Sequence, residues 1–579
     1  MRRKPYCQMM VAVSLFLWSS DIQADWIRFR GPNGAGVSTE KDPLPSHWSG
    51  TRNLQWKLPL PGPGSSSPIV VGDKIFVTYW SGYGMDRRSP GDLKQLRRHL
   101  ICIDRHTGKT LWSVAIAARL PEVRYSGRIT QHGYASHTPV SDGEQVYVFF
   151  GKSGVFCFDM DGKQVWQRRI GMESDPDGRG SASSPILYKD LLIVTAGAER
   201  EALVGLNRKT GEEVWKQEAA GLNATWGTPA MAQAGPNRTD LVIAVPSEIW
   251  GLNPNTGKLR WYSSGLSSGN ANSSAISHNG IVYAVESGAG GAVGMAVRAG
   301  GKGDVTGSRV VWSARHANRT ATPILYQGRL YTFSNRIVTC IDAETGTELF
   351  KARLGTSGAD PATRGSFRRG GGFGGDYASP VIGDGKIYFV ARSGLVFVLK
   401  ASERFELLAV NHMGQEGEDF SATPAISQGR LFLRSNRNLY CLTLKEDHGS
   451  SAGRPAEVAP APEVGETPSA SQAPPGPGRF DGQRRRRGGF DPAWIFQRRD
   501  ANGDGKLSGE EIPERMRGNL GRMDTDGDGA VTLAEFREAM SQMRGRRRGR
   551  SSGREGGRFG GRDRRQGRPE RPQRPEFES

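Results

Sequence analysis

Short runs of alternating hydrophobic and polar residues recur along most of the chain, and glycine or another turn-forming residue bounds each run. The stretch from Thr320 to Gly355 shows this pattern four times in succession, as TPILYQ, RLYTFSN, IVTCIDA and ELFKARL. Alternation with a period of two predicts β-strands, and the short polar turns predict that consecutive strands pair as hairpins. The stretch therefore predicts a four-stranded antiparallel meander, which needs neighbours of the same kind to bury both of its faces.

Eight segments open in the same way, with a Ser/Thr/Ala-Pro-type motif that leads into a hydrophobic strand. These openings begin at Ser66, Ser136, Ser183, Trp226, Ser273, Thr320, Ala378 and Ser421. The later spacings are about 43 to 58 residues, the size of a four-stranded propeller blade. The repeat predicts an all-β fold, an eight-bladed β-propeller.

Most of these units close with a second motif, in which Asp or Asn, a Thr-Gly turn and an aromatic residue follow one another. The motif ends at Trp112, Trp215 and Trp261, with variants that end at Trp166 and Phe350. Glycine supplies the positive φ of a tight turn between the third and fourth strands, and the aromatic side chain is expected to pack on the adjacent blade.

The closing motif resembles the tryptophan-docking motif of PQQ-type eight-bladed propellers. That family includes quinoprotein alcohol dehydrogenases and the non-enzymatic BamB-like outer-membrane assembly scaffolds. The opening from Trp26 to Val37 is also similar to the start of secreted PQQ-like repeat proteins of planctomycete type. The resemblance covers about residues 25 to 447, and it implies the fold rather than the function.

The ends of the repeat region complement each other. Residues 53–60 look like a fourth strand without the first three, whereas the unit from Ser421 has no fourth strand. We therefore predict that Trp56 and its neighbours complete the last blade and close the ring, which removes the exposed sheet edges.

Changes of composition divide the chain into five regions. In residues 1–24, the basic residues Arg2, Arg3 and Lys4 are followed by a short apolar run. This pattern predicts a signal peptide that is cleaved after Ala24. We therefore expect an exported protein, periplasmic or extracellular, with no transmembrane segment in the mature chain, because the run has about half of the ~20 residues that span a membrane. The other predicted regions are the propeller (25–448), a disordered Pro/Ala-rich linker (449–489), an EF-hand pair (490–544) and a disordered Arg/Gly-rich tail (545–579).

Two twelve-residue segments match the calcium-binding loop of the EF-hand. The ligand positions are Asp500, Asn502, Asp504, Lys506, Ser508 and Glu511 in the first loop, and Asp524, Asp526, Asp528, Ala530, Thr532 and Glu535 in the second. The seventh position of each loop would contribute its backbone carbonyl. Gly505 and Gly529 supply the sharp turn, and Leu507 and Val531 are predicted to pair across the loops. The pattern predicts two Ca²⁺ sites, because Asp/Gly-rich turns without metal would have to match every position twice by chance.

Four cysteines occupy matching positions in the predicted third strands of four blades: Cys102, Cys157, Cys340 and Cys441. Cysteines on different blades are too far apart to bridge easily, so we interpret them as small core residues rather than a disulfide or metal framework. The resemblance implies that a quinoprotein dehydrogenase carries two adjacent cysteines, joined as a disulfide over the PQQ ring. This sequence has no such pair, so PQQ is not expected.

Acidic residues precede two of the blade openings: Asp376, Glu416, Glu418 and Asp419. They could supply a catalytic base or a ligand of a Ca²⁺-bound quinone, or they could be turn residues on a solvated rim. His99, His132 and His137 are interpreted as polar rim residues rather than ligands.

The chain carries a formal net charge of +19, and the Arg/Gly-rich tail supplies a large share of it. For an exported protein this charge favours an anionic cell-envelope polymer over a dedicated nucleic-acid partner. Two insertions, residues 83–99 and 357–375, are candidate binding loops. The sequence favours a non-catalytic, calcium-binding scaffold that binds a protein or an anionic cell-envelope polymer. The alternative is a PQQ/Ca²⁺-dependent quinoprotein dehydrogenase that acts on alcohols or sugars.

Overall fold

A computed structural model of the chain describes residues 26–173, 178–288, 291–355, 376–415, 417–444 and 573–579, together with residues 504, 506–508, 524–526 and 528–535. The insertion predicted at 357–375 lies outside these residues. The chain forms two compact units, one of residues 1–450 with 567–579 and one of residues 451–566. Within the part of the chain that is described, the helices are too short or too polar to cross a membrane.

The first unit contains the eight predicted blades as successive antiparallel sheets. Blade 8 takes its outermost strand, β1 (Leu54–Pro59), from the start of the chain. The strands of blades 1 to 4 are β2 (Ile69–Val71), β3 (Lys74–Ser81), β4 (Arg97–Asp104) and β5 (Thr110–Ala117); β6 (Val140–Ser141), β7 (Gln145–Phe149), β8 (Val155–Asp159) and β9 (Gln164–Arg168); β10 (Ile186–Tyr188), β11 (Leu191–Ala196), β12 (Ala202–Asn207) and β13 (Glu213–Glu218); and β14 (Ala230–Gly235), β15 (Arg238–Val245), β16 (Glu248–Leu252) and β17 (Leu259–Ser264).

Blades 5 to 8 follow the same plan, with one extra strand, β21 (Gly303–Asp304), that pairs with β17 of blade 4. Their strands are β18 (Ile276–His278), β19 (Ile281–Gly288), β20 (Gly291–Arg298) and β22 (Val310–Ala314); β23 (Ile324–Tyr326), β24 (Arg329–Ser334), β25 (Ile337–Asp342) and β26 (Glu348–Arg353); β27 (Val381–Gly383), β28 (Lys386–Val390), β29 (Leu395–Lys400) and β30 (Leu407–His412); and β31 (Ala425–Ser427), β32 (Arg430–Arg434) and β33 (Asn438–Thr443). Two single-turn helices, α1 (Gly197–Arg200) and α2 (Thr306–Arg309), lie in connections.

The predicted closure of the ring is confirmed. Strand β1 pairs antiparallel with β33, and Trp56 lies opposite Cys441. The two ends of the repeat region therefore complete one blade, and the hydrophobic core of that blade contains residues from both ends, including Trp26 and Leu439.

The closing tryptophans dock on the adjacent blade, as the repeated motif predicts. The indole N–H donates to a backbone carbonyl of the next blade in five cases: Trp56 to Arg105, Trp112 to Met160, Trp166 to Arg208, Trp215 to Pro254 and Trp312 to Ala343, at 2.8 to 3.1 Å. The turn glycine of the next blade lies against the indole ring. A Cβ added at Gly108, where φ is +69°, would lie 2.6 Å from the ring of Trp56, so this position requires glycine.

Trp261 departs from the pattern. Blade 5 has residues 300–309 at the place where four other blades have the Thr-Gly turn. The indole of Trp261 donates instead to Asp240 of its own blade, at 2.7 Å. Both side chains are fully buried. The outer edge of blade 4 is therefore built differently from those of the blades that end in a docked tryptophan.

The four cysteines of the predicted propeller are buried and form no disulfide, and they lie on third strands of their blades, β4, β8, β25 and β33. Burial raises the pKa of each thiol to about 12. The prediction that they are small core residues is confirmed, and none has the thiolate character that metal binding requires.

The last seven residues, 573–579, differ from the predicted disordered tail. They lie against blade 4, where Phe577 pairs in parallel with Leu259 of β17. A tail with this Arg/Gly-rich composition is not expected to form a hydrophobic core. This short segment, however, contains an aromatic ring and charged groups that contact residues of blade 4.

Candidate functional site

A closed ring of eight hydrogen bonds surrounds the propeller channel. In each blade, one Ser or Thr just before the first strand accepts the backbone N–H of the equivalent residue in the preceding blade, at 2.9 to 3.2 Å. Serine and threonine alternate around the whole ring: Ser67, Thr138, Ser184, Thr228, Ser274, Thr322, Ser379 and Thr423. All eight are buried, so the bonds fix the blades relative to one another at the channel wall.

A polar cavity of about 480 Å³ lies in the channel, lined by these hydroxyls and by three arginines, Arg128, Arg179 and Arg319. An aromatic ring positions one of these cations. The guanidinium carbon of Arg179 lies 4.7 Å from the ring centre of Trp226, and the indole of Trp226 donates to the carbonyl of Gly180 at 2.8 Å. Among the described residues that line the cavity, none is an aspartate or a glutamate. Arginine forks suit carboxylate, phosphate and sulfate groups, so the mouth is chemically suited to an anion.

The acidic residues in front of the blade openings are engaged within the protein. Asp376 accepts the N–H of Arg392 at 2.9 Å, and burial raises its pKa. Asp419 forms an ion pair with the same arginine. Glu418 is buried and accepts the Tyr440 hydroxyl at 2.8 Å; burial acts to raise its pKa, but the hydrogen bonds outweigh this effect and lower it.

The interpretation of these acids as solvated rim residues is therefore wrong for Glu418, because its carboxylate holds together the end of blade 8. Glu416 lies outside the described residues. The acids that are described bond to neighbouring backbone or side-chain groups, and none of them lines the cavity.

The three histidines occupy different environments. His132 lines the mouth, where its ring nitrogens bond to Ser136 Oγ and the carbonyl of Arg179, both at 2.6 Å. His99 lies on β4 and stacks on Tyr79, and His137 is buried. The interpretation as rim residues is wrong for His137, whose pKa burial lowers to about 3.

A histidine, a serine and a glutamate form a short chain of hydrogen bonds beside the channel. The Ser181 hydroxyl donates to Glu199 at 2.6 Å, and His137 Nε2 lies 3.0 Å from the same hydroxyl. A nucleophilic triad needs the hydroxyl proton to point at the histidine and the acid to hold the other imidazole nitrogen. Here the hydroxyl proton points at the acid, and the imidazole stays neutral, so the group is a buried structural network.

The described part of the second unit contains most of the second predicted loop. The carboxylates of Asp524, Asp526 and Asp528 offer oxygens that lie within 4.8 Å of one another. Gly529, at the sixth loop position, has a φ of +82°, the sharp turn that the motif demands. These features fit a Ca²⁺ ion, which takes oxygen ligands at 2.3–2.6 Å.

Glu535, at the twelfth position, is held close to the start of its loop. Its carboxylate accepts the N–H groups of Thr532 and Thr525 at 2.9 and 2.8 Å, and these bonds lower its pKa to about 2. The group is therefore ionised at any physiological pH.

The first predicted loop is described only at Asp504, Lys506, Leu507 and Ser508. Strands β34 (Lys506–Leu507) and β35 (Val531–Thr532) pair antiparallel, with Leu507 opposite Val531. The predicted pairing across the loops is confirmed. The predicted ligands Asp500, Asn502 and Glu511 lie outside the described residues.

Comparison with known proteins adds the family. The family described as outer membrane protein assembly factor BamB matches residues 97–352. The propeller is therefore similar to the PQQ-like, BamB-like family over these residues. Among solved structures, BamB from Moraxella catarrhalis shares 11% identity at a TM-score of 0.44, over 67% of this chain and 99% of that one. A europium-containing methanol dehydrogenase shares 10% identity at a TM-score of 0.49, over 73% of this chain and 98% of that one.

A short segment of the chain is similar to polcalcins. Polcalcin Ole e 3 of Olea europaea is 42% identical over 53 residues, which cover 7% of this chain. The chain spans 63% of the length of that relative. The match supports an EF-hand-like segment beside the PQQ-like propeller.

A Ca²⁺-bound quinone at the mouth of the PQQ-like propeller would require a particular set of side chains. Such a pair needs anionic oxygen ligands for the metal and a base for the alcohol. The described lining offers the neutral oxygens of Ser, Thr, Asn, Gln and Tyr together with three arginines. His132 is also on the lining, but both of its ring nitrogens are bonded within the protein. The described lining therefore lacks the anionic ligands that the metal needs and does not fit the pair. No reaction step is assigned to the mouth.

The sequence pattern predicted the blade openings but not the ring of hydrogen bonds that their Ser and Thr hydroxyls form. Seven of the eight ring hydroxyls stand directly before a proline, as in Ser67-Pro68, and the eighth is Ser274. A residue before proline is held in an extended conformation, so a repeated Ser/Thr-Pro could have predicted the ring. The three arginines of the mouth come from non-repeated loops, where no sequence period marks them.

Proposed function

We propose that this chain is an exported, non-catalytic propeller scaffold that binds Ca²⁺ through its C-terminal unit and binds an anionic partner at the channel mouth. The partner is an acidic protein segment or an anionic polymer of the cell envelope. The observation that carries the proposal is a polar cavity lined by Arg128, Arg179 and Arg319, without a carboxylate in the described lining. Stacking of Arg179 on Trp226 keeps one of the guanidinium groups in place at the mouth.

The rigidity of the PQQ-like propeller supports a binding role. The hydroxyl ring closes through all eight blades with buried hydrogen bonds of 2.9 to 3.2 Å. A pre-formed surface avoids the entropic cost of ordering loops when a partner binds. The family whose model matches residues 97–352 is described as an outer membrane protein assembly factor, which is in keeping with a scaffold.

Anion binding at the mouth is tested by triple replacement. We expect the full chain to bind dextran sulfate and polyglutamate, and the variant Arg128→Gln, Arg179→Gln, Arg319→Gln to lose at least tenfold in affinity for the preferred one. The control variant is Arg52→Gln, Arg168→Gln, Arg404→Gln, which removes three exposed arginines elsewhere on the propeller. Both variants lower the formal charge from +19 by 3, so a loss that is equal in both would reduce the effect to net charge and refute the site.

Reconstitution with the cofactor distinguishes the scaffold proposal from the dehydrogenase alternative. Full-length protein is incubated with PQQ and Ca²⁺, and quinone absorbance and dye-linked oxidation of alcohols and sugars are measured. We expect no turnover. Stoichiometric quinone binding with turnover would refute the scaffold proposal.

A further inference from the structure

The last seven residues make specific contacts with blade 4. The backbone N–H of Leu259 donates to the carbonyl of Glu576 at 2.7 Å, and the N–H of Glu578 donates to the carbonyl of Leu259 at 2.8 Å. The segment therefore extends the sheet as an added strand beside β17, in line with β21, which covers Trp261 and Tyr262 of the same strand. Added strands are a common way to bind an extended peptide.

Side chains at both ends of the segment meet charges of the opposite sign. Arg574 forms two bonds to the carboxylate of Glu248, whose side chain is 2% exposed. Glu578 accepts from Arg260 and from Asn253, each at 2.5 Å. Because a buried carboxylate is costly without a cation, Glu248 provides an independent reason for an arginine at this place.

Aromatic contacts fix the middle of the segment. The guanidinium carbon of Arg574 lies 3.4 Å from the ring centre of Tyr262, and the ring of Phe577 lies 6.3 Å from the same ring. Pro575 is buried, whereas Phe577 is 45% exposed. The site thus selects an arginine, an aromatic residue three positions later and an acid directly after it.

We propose that the edge of blade 4 is a peptide-binding site whose occupant is the chain's own C-terminal segment, Gln573–Ser579. The unusual outer edge of blade 4 explains its location. Residues 300–309 replace the Thr-Gly turn of blade 5, and β17 of blade 4 pairs there with both β21 and the C-terminal segment. The segment acts as an intramolecular latch. It follows residues 451–566 in the sequence.

The latch is tested on the full chain by digestion with a carboxypeptidase. Glu578→Gln weakens the bonds to Arg260 and Asn253, whereas the matched control Glu576→Gln changes an exposed carboxylate 3.8 Å from Lys258. We expect the C-terminal residues to be released at least tenfold faster from the Glu578→Gln chain than from the native chain. Release from the Glu576→Gln chain should lie within about twofold of native, since exposed ion pairs contribute little. Equal release from all three chains would overturn the proposal.

A second measurement uses a labelled peptide of residues 573–579. We expect it to bind a chain that ends at Pro572 at least tenfold more tightly than the full chain, because the native segment competes for the site. Absence of binding to the shortened chain, or equal binding to both, would overturn the latch. Concentration-dependent dimers of the full chain that disappear on truncation would also overturn it, because the segment would then occupy the site of a second copy.

Discussion

The backbone N–H of Thr423 donates to the Oγ of Ser67 at 3.1 Å, across a separation of 356 residues in the sequence. This bond joins blade 8 to blade 1 and completes the ring of alternating Ser and Thr around the channel. Ring closure therefore has two components, one at the outer edge through β1 and one at the channel through these two residues.

Replacement of Ser67 by Ala should lower stability by about 1–3 kcal/mol, because it leaves the buried N–H of Thr423 without its acceptor. The control is Ser67→Thr, which keeps the hydroxyl and places at this position the residue that four other ring positions carry. Urea denaturation followed by tryptophan fluorescence measures both variants. Equal midpoints would show that the ring bond contributes nothing measurable.

Gly108→Ala should destabilise the propeller by about 1–3 kcal/mol more than Gly72→Ala, through crowding of the docked indole. Both glycines have a positive φ, +69° and +53°, so both variants share the conformational cost. Only at Gly108 would the new Cβ meet the ring of Trp56, at 2.6 Å, whereas at Gly72 no atom lies within 4 Å. Thermal unfolding of the two variants gives the difference, and similar losses would contradict the docking argument.

Glu199 should make stability fall as the pH rises. Burial raises its pKa from 4.5 to about 7, so between these values the folded state keeps a proton that the unfolded state releases. The contribution is complete below pH 4.5, decreases through the interval and levels off above pH 7, with a total of about 3 kcal/mol at 1.36 kcal/mol per unit.

The substitution Glu199→Gln should remove this slope, which denaturation at several pH values would measure. The exposed control Glu144→Gln should retain it. A native slope that is unchanged in the Glu199→Gln chain would assign the pH dependence to other groups.

Calcium binding should require the twelfth position of each predicted loop. We expect Glu511→Gln and Glu535→Gln to weaken Ca²⁺ binding to their loops at least tenfold, because each removes charge from a bidentate ligand. Glu510→Gln, a change of the neighbouring glutamate, serves as the control. Calorimetric titration of the chelator-treated full chain measures all three. No heat from the native chain at millimolar Ca²⁺ would refute the calcium proposal.

Saturation with Ca²⁺ should also stabilise the second unit, by about 2.7 kcal/mol per site at a hundredfold excess over Kd. Chelation should then lower the unfolding temperature of this unit and leave that of the propeller unchanged. A chelator that shifts only the propeller transition would place the ion elsewhere.

The repeats predicted the fold well because a blade is a local object. The strands around Cys340 and the docking of Trp112 follow from patterns within about 50 residues. Completion of blade 8 by Trp56 is a distant contact, but it was predicted because the two ends of the repeat region lack complementary strands. The channel mouth was not predicted, because Arg128, Arg179 and Arg319 converge from three separate loops. Glu418 was misinterpreted because a turn position carries no sign of burial. The C-terminal segment escaped notice because its partners, Glu248 and Arg260, are more than 300 residues away in the sequence.

Completion of blade 8 by β1 has a consequence for the order of assembly. Gln55 of β1 leaves the ribosome 386 residues before Cys441, its hydrogen-bond partner in β33, so the first strand waits for nearly the whole propeller to be synthesised. Contacts this distant in sequence form slowly. In a nascent or prematurely terminated chain that ends before β33, β1 has no strand to pair with. Blade 1 then lacks a complete blade 8 beside it. Such a chain exposes surfaces that aggregate. Synthesis of β33, the final strand of the propeller, is therefore the step that allows the ring to close and that a truncated chain lacks.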